Sequence, residues 1–575
     1  MDFERLQITE RKIIVGVDFG TTYSGVAWAE TQRSDRRVAI TSWPVSKTIL
    51  EGESSDKVPT KLRYSGNGIE WGFSIPVTAP RDEIIEWFKL DLDRSLQPLG
   101  NSVSNVASRG GRDVDTLVTD YISALGDHLM YTLREKLGET FVSGIPLEVV
   151  VTVPAIWSDL AKDKTRQACQ RASGLSTVIP IHLISEPEAA AIYALHGLDP
   201  HGLKIGESFV ICDAGGGTVD LISYTILKLK PFLEVQEAAA GTGALCGSTF
   251  LNMRFAKWLK AKLGKEPGFD DEMMAEAMER FEKTVKRQYN MSVLPEETYT
   301  IPVGGLANNK DLGITRGRYA LKASDLQTIF EPVIQEVIKL VKDQIMSSKV
   351  PIRAVLLVGG FGASNYLKER LRNAVDRKIE IMQPPNAWLA VVHGAVMKGL
   401  ALSAPNELTT VSVKNRKARR HYGIEWRTRY DESIHSHLRE QREWSGFDGG
   451  YRVLTMQWFI KAGDAVSENQ PFFTEFVWSG LVSAGRINNF RLNVYCDRTQ
   501  RKAPVAKDGN VELLCNVDAD ISHIPENLLN RRRGKDGKLY YELSCKVEAI
   551  YLSATTQYTL IYNNQRYNSV TAEYV

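Results

Sequence analysis

Two short segments of the chain carry residue types that bind phosphate and magnesium. Each ends an apolar, strand-like run with an aspartate and continues into a turn of glycine and threonine, at Val15–Thr22 (VGVDFGTT) and Val210–Thr218 (VICDAGGGT). Glycines let the backbone curl so that successive N–H groups point into one concavity and hold phosphate oxygens. Threonine hydroxyls add donors, and a strand-terminal aspartate is placed to hold Mg²⁺ through waters. One such turn is more often structural, whereas two copies with the aspartate at the same offset favour a functional site.

The sequence after each turn separates this pattern from the two commonest nucleotide-binding loops. A second apolar strand follows each turn, at Gly25–Ala29 and Val219–Tyr224, and no GKS or GKT accompanies them. A Walker loop requires that lysine, and a Rossmann turn opens into a helix. The two turns therefore predict phosphate binding of a different kind.

A third candidate element runs from a strand through glycines into a helix, at Ala354–Asn365 (AVLLVGGFGASN). Glycines at this position would let the backbone approach a flat ligand group such as an adenosine. Alone, a turn of this kind is a common strand–helix connection.

The elements that would position these turns alternate between buried strands and amphipathic helices. Strand-like runs lie at Ile13–Val17, Leu147–Val153, Phe209–Cys212 and Ala354–Val358, and continuous apolar runs of this kind suit strands covered on both faces. Between them lie helical patterns such as the one that aligns Leu117, Tyr121, Leu125, Leu129 and Leu133. Their alternation predicts an α/β architecture.

Composition limits the classes of protein and partner to be considered. The 575 residues are 43% hydrophobic and 24% charged, values typical of a globular protein, and the net charge of +2 gives no reason to propose a nucleic-acid or membrane partner. The six cysteines form no CxxC pair, which argues against a disulfide framework or a structural zinc site. The N-terminus lacks the apolar core of a signal peptide, and no run reaches the ~18 apolar residues of a membrane span. We therefore expect a cytoplasmic protein, with the nucleus left open.

The composition and the hydrophobic pattern of the sequence change after about residue 405. Residues 411–442 are rich in Lys and Arg, which predicts an exposed connector; a nucleic-acid patch is the alternative, but no recognition module accompanies it. From Tyr451 onward, short alternating strands and turns such as Lys535–Gly537 (KDG) predict a β-sandwich or barrel.

The motifs together resemble those of a known superfamily. VDFGTTYSGVAW, CDAGGGTVDL and LLVGGFG look like the two phosphate motifs and the adenosine motif of the actin/sugar-kinase/heat-shock ATPases. VVTVPAIWSDLAKDKTRQACQRA and LISEPEAAAIYAL are similar to stretches of the heat-shock 70 kDa (DnaK-type) family. The forms EWFKLDL, GGFG, LAVVHGAV, RRHYGIEW and FIKAGD resemble its divergent class A member 12-like branch. The resemblance covers about residues 12–400, with the motifs in the expected order.

This resemblance implies a division into three parts. Residues 12–405 would form a two-lobed, actin-like ATPase domain of duplicated ribonuclease H-like fold. Lobe I would span about residues 12–207 and lobe II about 208–405, with a return to lobe I near 385–405. A basic connector would follow at residues 406–425. Residues 426–575 would then form a β-rich domain, a reduced substrate-binding domain without a helical lid.

The resemblance also implies a role for each matching residue in binding ATP or ADP with Mg²⁺. Asp18 and Asp213 would hold the Mg²⁺ shell, and Glu186 and Lys89 would orient the attacking water and neutralise charge on the γ-phosphate. A solvated lysine on an amphipathic helix (EIIEWFKL) is the alternative for Lys89. Hydrolysis would be assigned to Lys89, Glu186, Asp213 and Thr218. Contacts to the nucleotide would come from Asp18, Gly20, Thr21, Thr22, Tyr23, Gly215, Gly216, Gly217, Thr218, Lys286, Arg287, Asn290, Gly359, Gly360, Phe361 and Gly362.

Several positions depart from the family's pattern. Cys246–Asn252 (CGSTFLN) stands where the family has an acidic GGEDFD, and Trp388 replaces an aspartate. In helix 275–290, Glu282 lies four residues before Lys286, where the family has three, and an exposed charged helix face is the alternative reading of that helix. These changes predict weaker adenosine contacts.

Three functions fit the sequence. The first is a slow Mg²⁺-dependent ATPase that acts as a chaperone-like nucleotide switch for a protein client or co-chaperone. The second is a non-catalytic ATP-binding scaffold with one dedicated partner. The third, a small-molecule kinase, would need a carboxylate base near the second phosphate motif; Asp220 is present there but does not discriminate between the functions.

Overall fold

Alternating strands and helices build the first part of the chain, and strands alone build most of the second. The computed structural model describes residues 10–46, 54–66, 68–93, 110–175, 179–197, 204–405, 407–467, 470–497, 502–522, 524–554, 556–567 and 571–574. The chain divides into two units, Met1–Val413 and Lys414–Val575.

The strands and helices of the first unit follow the predicted α/β alternation. Its strands are β1 (Ile13–Asp18), β2 (Tyr23–Glu30), β3 (Val38–Ala39), β4 (Val58–Pro59), β5 (Lys61–Ser65), β6 (Gly68–Trp71), β7 (Ile85–Glu86), β8 (Leu147–Val153), β9 (Ile181–Ser185), β10 (Ser208–Ala214), β11 (Val219–Lys228), β12 (Leu233–Ala244), β13 (Thr298–Pro302), β14 (Ile314–Thr315), β15 (Arg318–Lys322), β16 (Ile352–Val358) and β17 (Glu380–Met382). Its helices are α1 (Val114–Leu137), α2 (Glu139–Gly144), α3 (Asp159–Arg171), α4 (Glu186–Gly197), α5 (Thr249–Leu263), α6 (Asp271–Arg280), α7 (Lys286–Gln288), α8 (Ala323–Ser347), α9 (Gly359–Gly362), α10 (Asn365–Ala374) and α11 (Ala390–Ser403), with a π-helical turn at Phe281–Val285 between α6 and α7.

Two sheets of the first unit repeat one topology. The first sheet has the order β3-β2-β1-β8-β9, and the second contains β12-β11-β10-β16-β17 in that order. In each, the leading strand pairs antiparallel with the strand that follows its turn and parallel with a strand much later in the chain. The repeat confirms the duplicated, two-lobed, actin-like α/β fold that the sequence predicts, and it places Asp18 and Asp213 at equivalent strand ends.

Helices α4 and α11 connect the two sheets through apolar contacts. α11 packs against β1, β2 and β8 of the first sheet, α4 packs against β10 and β11 of the second, and the two helices pack on each other. Their small side chains allow this close packing, because AAAIYAL in α4 and AVVHGAV in α11 contribute mostly buried alanine, glycine and valine. The second lobe has its own core between the sheet and α5, α6, α8 and α10. Truncating a large side chain in such a core to alanine typically costs about 2–5 kcal/mol.

The second unit is built of antiparallel strands. They are β18 (Val411–Lys417), which begins at the boundary, β19 (His421–Arg429), β20 (Glu443–Ser445), β21 (Gly450–Ile460), β22 (Ala465–Val466), β23 (Phe472–Leu481), β24 (Asn489–Asp497), β25 (Val511–Asp520), β26 (Arg531–Arg533), β27 (Leu539–Tyr551), β28 (Thr556–Tyr562), β29 (Gln565–Tyr567) and β30 (Thr571–Tyr574), with the short helix α12 (Glu432–His435). One sheet has the order β20-β21-β19-β24-β25-β30, and the other has β23-β27-β28-β29 with β26 on β27. Side chains of both sheets share one apolar core, so the predicted β-rich domain is sandwich-like.

The segment 406–425 differs from the exposed basic connector that the sequence predicts. Much of it lies in β18 and the start of β19, and Arg416 and His421 are buried. The segment buries Arg416 and His421 while its other basic side chains stay partly exposed, so its high charge does not prevent it from forming β-structure. Composition alone does not reveal which basic side chains of such a segment become buried.

The structure shows where the cysteines lie and whether any described helix could span a membrane. All six cysteines are buried, and burial raises the pKa of the Cys212 and Cys246 thiols. Among the helices that the structure describes, none combines the length and apolar character needed to cross a bilayer.

Candidate functional site

A cavity of about 260 Å³ lies between the two lobes of the first unit. It contains residues of both predicted phosphate turns and of the predicted adenosine turn, together with the charged pairs Lys89–Glu186, Lys57–Asp18 and Lys286–Glu282. It is lined by Asp18, Gly20, Thr21, Thr22, Tyr23, Lys57, Lys89, Glu186, Asp213, Gly215, Gly216, Gly217, Thr218, Ser248, Glu282, Lys286, Arg287, Gly359, Gly360, Phe361, Ala363, Ser364, Trp388 and Val391. The predicted site residues that do not line it are Asn290 and Gly362.

The two phosphate turns touch each other across the cavity. A Cβ added to Gly216 would lie 2.3 Å from Thr22 Oγ1, and one added to Gly217 would lie 2.6 Å from Thr21 Oγ1. Any side chain at these glycines would therefore push the lobes apart. The second turn closes on itself through the Gly215 N–H, which donates to the Thr218 carbonyl at 3.0 Å.

The segment Cys246–Asn252, whose sequence departs from the family's pattern, supports the second phosphate turn. The N–H groups of Gly247, Ser248 and Thr249 donate to the carbonyls of residues 217, 215 and 216, at 3.1, 3.1 and 2.8 Å. Ser248 also lines the cavity. The segment that lacks the family's carboxylates thus still holds the turn in place through its backbone.

Lys89 and Glu186 form a buried ion pair at the cavity. Lys89 Nζ donates to Glu186 Oε1 at 2.6 Å, and Lys89 is 1% exposed. Its ammonium also lies 5.5 and 5.2 Å from the ring centroids of Phe19 and Trp157. The alternative of a solvated lysine on an amphipathic helix is excluded, because EIIEWFKL forms strand β7 and a 3₁₀ turn, Phe88–Leu92, instead of one α-helix.

The cavity contains more carboxyl groups than its surroundings can stabilise in the ionised form. Burial raises the pKa of Glu186 to about 7, against the opposing charge of Lys89. Burial, followed by the charges of Glu186, Asp220 and Asp18, raises the pKa of Asp213 well above its usual range. A bound cation would relieve this surplus of negative charge.

These donors fit Mg²⁺ held together with phosphate groups. Among the described residues no trio of His, Cys, Asp or Glu side chains is grouped to hold a metal directly. Mg²⁺ usually keeps several waters and binds through one or two carboxylates plus substrate phosphates. Asp213 and Asp18 supply two such carboxylates at the ends of β10 and β1.

Lys57 is a cavity residue that sequence reasoning missed. Its Nζ donates to Asp18 Oδ2 at 2.6 Å, while Thr152 Oγ1 donates to Asp18 Oδ1 at 3.3 Å. Both oxygens of Asp18 therefore have protein partners. No motif marks the lysine in SSDKVPT, and 39 residues separate it from Asp18 in the chain.

The helix predicted at 275–290 is interrupted and ends earlier. α6 leads into the π-helical turn Phe281–Val285, and α7 ends at Gln288. A π-helical turn holds one more residue than an α-helical turn. The four-residue spacing of Glu282 and Lys286 is thereby accommodated, and both side chains line the cavity.

Lys286 is anchored to the other lining segments of its lobe. Its Nζ donates to Asn252 Oδ1 at 3.0 Å and lies 3.7 Å from Glu282 Oε1. Asn252 thus contributes a carbonyl oxygen in the segment that lacks the family's acids. Asn290 lies beyond the helix in a turn, where its side chain bonds the backbone of Gln288 and Ser292.

Trp388 lines the cavity beside the glycine turn that the sequence predicts to contact adenosine. Its ring lies 5.6 Å from that of Tyr23, centroid to centroid, and covers Gly360, where an added Cβ would lie 2.7 Å from the indole. Gly359 and Phe361 also line the cavity, whereas Gly362 is buried behind them in α9. The replacement of an aspartate by tryptophan therefore gives an aromatic wall in place of a polar one.

Asp220 is placed for a structural role rather than as a kinase base. Its Oδ1 accepts the N–H groups of Ala155 and Ile156 at 3.0 and 3.3 Å, and it is 1% exposed. These bonds join lobe II to the loop after β8 of lobe I. Asp220 does not line the cavity.

The duplicated fold and the cavity with two glycine-threonine turns define the class of two-lobed, actin-like ATPase domains. A family model described as Hsp70 protein matches residues 123–428, more than half of the chain, and the chain belongs to the Hsp70 family. A second model, described as a domain of unknown function (DUF8568), matches residues 416–574.

Similar proteins place the chain in the 12A-like branch of this family. It is 24% identical over 517 residues to the human heat shock 70 kDa protein 12A, covering 74% of this chain and 73% of that protein. It is 25% identical over 398 residues to the chaperone protein DnaK of Mycoplasma mobile, covering 68% and 58%. A ribosome-associated molecular chaperone of Saccharomyces cerevisiae is 26% identical over 409 residues, covering 68% and 61%.

Proposed function

We propose that this chain binds ATP and ADP with Mg²⁺ in the cavity of the first unit and hydrolyses ATP slowly. Nucleotide-dependent closure of the lobes would act as a chaperone-like switch for a protein client or co-chaperone. The β-rich second unit is the part proposed to bind that partner. Neither nucleic acid nor a membrane is part of the proposal, and a cytoplasmic location remains our expectation.

The observation that carries this proposal is the meeting of the two phosphate turns beside the Lys89–Glu186 pair. Glycine and threonine residues of turns from two lobes line one cavity, an arrangement suited to a polyphosphate that bridges them. Closing a ligand between two lobes couples its binding to their relative position, because contacts with both lobes form only in the closed state.

Each charged residue has a distinct part in the proposed hydrolysis. Glu186, as the carboxylate, accepts a hydrogen bond from the attacking water and orients it. Lys89, held against Glu186, stabilises negative charge that develops on the transferred phosphoryl group. Asp213 and Asp18 would hold Mg²⁺, which would neutralise phosphate charge when bound. The protein thus works by positioning and electrostatics, without a covalent intermediate.

A nucleotide-binding scaffold without turnover is the second candidate. Two features of the cavity favour it: Cys246–Asn252 has no carboxylate, and both oxygens of Asp18 already have protein partners. Binding would then stabilise the first unit without releasing phosphate.

Thermal unfolding with Mg-ATP, with Mg-ADP and without nucleotide tests both candidates, followed by phosphate release from the same sample. A ligand at about 100 times its Kd adds about 2.7 kcal/mol of stability. We expect a higher midpoint with both nucleotides and slow phosphate release. A higher midpoint without phosphate release would favour the scaffold, and an unchanged midpoint would contradict nucleotide binding altogether.

A further inference from the structure

Lys57 is a buried ammonium in the cavity to which the proposed hydrolysis assigns no part. Its side chain is 10% exposed and that of its partner Asp18 is 6% exposed. The indole of Trp388 lies 5.4 Å from the ammonium, centroid to Nζ. Burying a charge costs desolvation free energy even when the charge is paired.

Strand pairing explains how Lys57 reaches Asp18. β2 pairs with β4 at Ser24 and Val58, and β1 pairs with β2 at Asp18 and Gly25. Lys57 precedes the paired residue of β4, so its side chain crosses β2 at Gly25 to reach the end of β1. A Cβ at Gly25 would lie 3.2 Å from Lys57 Cγ, so the glycine leaves the space that the lysine stem occupies.

This arrangement places a fixed positive charge where the fold otherwise presents a carboxylate. An ammonium has three N–H donors, and a single oxygen of Asp18 takes one of them. The pair is neutral as a unit, which removes the repulsion that an unpaired Asp18 would exert on a polyphosphate. Hydrogen bonds from an ammonium to phosphate are among the stronger ones in proteins.

We propose that Lys57 is a phosphate-binding residue that lets the cavity hold nucleoside di- and triphosphates without Mg²⁺. The proposal rests on the nucleotide binding proposed above and deepens it by naming the group that replaces part of the divalent cation's charge. Mg²⁺ then strengthens binding of the nucleotide and serves hydrolysis, but it is not a condition for occupancy.

The affinity of the full chain for ADP, measured by calorimetry with Mg²⁺ and with EDTA, tests this role. We expect the wild-type protein to lose less than about tenfold in affinity when Mg²⁺ is removed, because the ammonium remains. Lys57→Met, which keeps the length of the side chain without its charge, should lose about tenfold to a hundredfold more. Lys57→Arg should retain most of the metal-free binding.

Lys12→Met is the matched control, because Lys12 pairs with Glu148 at 2.9 Å and does not line the cavity. Its dependence on Mg²⁺ should equal that of the wild type. If Lys57→Met does not fold, Asp18→Asn is compared with the double variant Asp18→Asn/Lys57→Met, since these two differ only in the lysine. Metal-free binding should persist in the first and be lost in the second.

The outcomes separate this proposal from the proposed function. Equal dependence on Mg²⁺ in the wild type and in Lys57→Met, with normal Mg-ADP binding, would overturn the role of Lys57 alone. Binding of ADP by the wild type only in the presence of Mg²⁺ would likewise overturn that role and leave the proposed function standing. No binding of ADP by the wild type under either condition would overturn both proposals.

Discussion

Glu186 shows how burial and neighbouring charge decide the chemistry of one side chain. Its pKa rises to about 7, which is above the 4.5 of an ordinary glutamate. A carboxyl whose pKa is higher in the folded than in the unfolded state binds its proton more tightly when folded. Its contribution to stability is thus fully present below pH ~4.5 and is lost as pH rises through about 7.

Glu186→Gln should therefore change the pH dependence of stability. Glutamine resembles the protonated carboxyl, so the variant should unfold like the wild type at pH ~5 and later than the wild type at pH ~8. The difference should be on the order of 1–3 kcal/mol, measured as thermal or denaturant midpoints at both pH values. Glu135→Gln, at an exposed position of α1, is the control and should shift neither curve. Parallel curves for Glu186→Gln and the wild type would contradict the raised pKa.

Among single residues, those within a local motif could be predicted and those that meet through the fold could not. Asp18, Thr21 and Gly216 are recognisable because glycine, threonine and aspartate adjoin in sequence. The burial of Lys89 depends on Glu186, which lies 97 residues away. Lys57 reaches its partner only through the pairing of two strands, and no sequence pattern records that pairing.

The π-helical turn at Phe281–Val285 is the element that lets both Glu282 and Lys286 line the cavity. It contains one residue more than an α-helical turn would, and such turns are frequent at functional sites. The sequence shows the extra residue as a changed spacing between Glu282 and Lys286. The sequence does not show whether the helix stays α-helical and rotates Lys286 away from the cavity, or accommodates the extra residue in a π-helical turn. The packing of the flanking helices determines which of the two forms.

Deleting Lys283 should convert this turn into regular α-helix with little loss of stability. Lys283 is more than half exposed, and its removal leaves Glu282 and Lys286 three positions apart, which keeps them on one helix face. Deleting the exposed Glu276 from α6 is the control. It rotates the buried Met273 away from Ala277 by one residue, about 100°, and should cost several kcal/mol.

Thermal midpoints and ADP affinities of the two deletion variants show whether the packing of this helix requires the extra residue of the π-helical turn. We expect the Lys283 deletion to keep both close to wild type and the Glu276 deletion to lower the midpoint strongly. Equal destabilisation by both deletions would show that the extra residue is required by the packing of this helix.

At the level of the chain, every residue that lines the cavity belongs to the first unit. The sequence predicts the two-part organisation from the change in texture near residue 405, and the family resemblance implies the fold of the first part. The sequence also predicts a β-sandwich or barrel for the second part, but the order and partners of its strands could not be predicted, because alternating strands fix neither.

Residues 1–413, produced alone, should form a soluble protein that binds nucleotide as the full chain does. The apolar cores around α4, α11 and the second sheet are made of residues up to 413. Mg-ADP at about 100 times its Kd should stabilise this fragment by about 2.7 kcal/mol, read as a shift of its thermal midpoint. Residues 414–575 alone should show no shift. A fragment 1–413 that folds but ignores a nucleotide bound by the full chain would contradict the assignment.

Because all six cysteines are buried, the rates at which they are alkylated in the native protein report local opening of the structure around them. A thiol that is shielded and protonated reacts with an alkylating reagent only when local unfolding exposes it. Cys212 and Cys246 lie in β10 and beside the second phosphate turn, so their alkylation rates report how often that lobe opens around the cavity. A nucleotide that holds the lobes together would slow these two thiols and leave Cys545, in β27 of the second unit, reacting at its own pace.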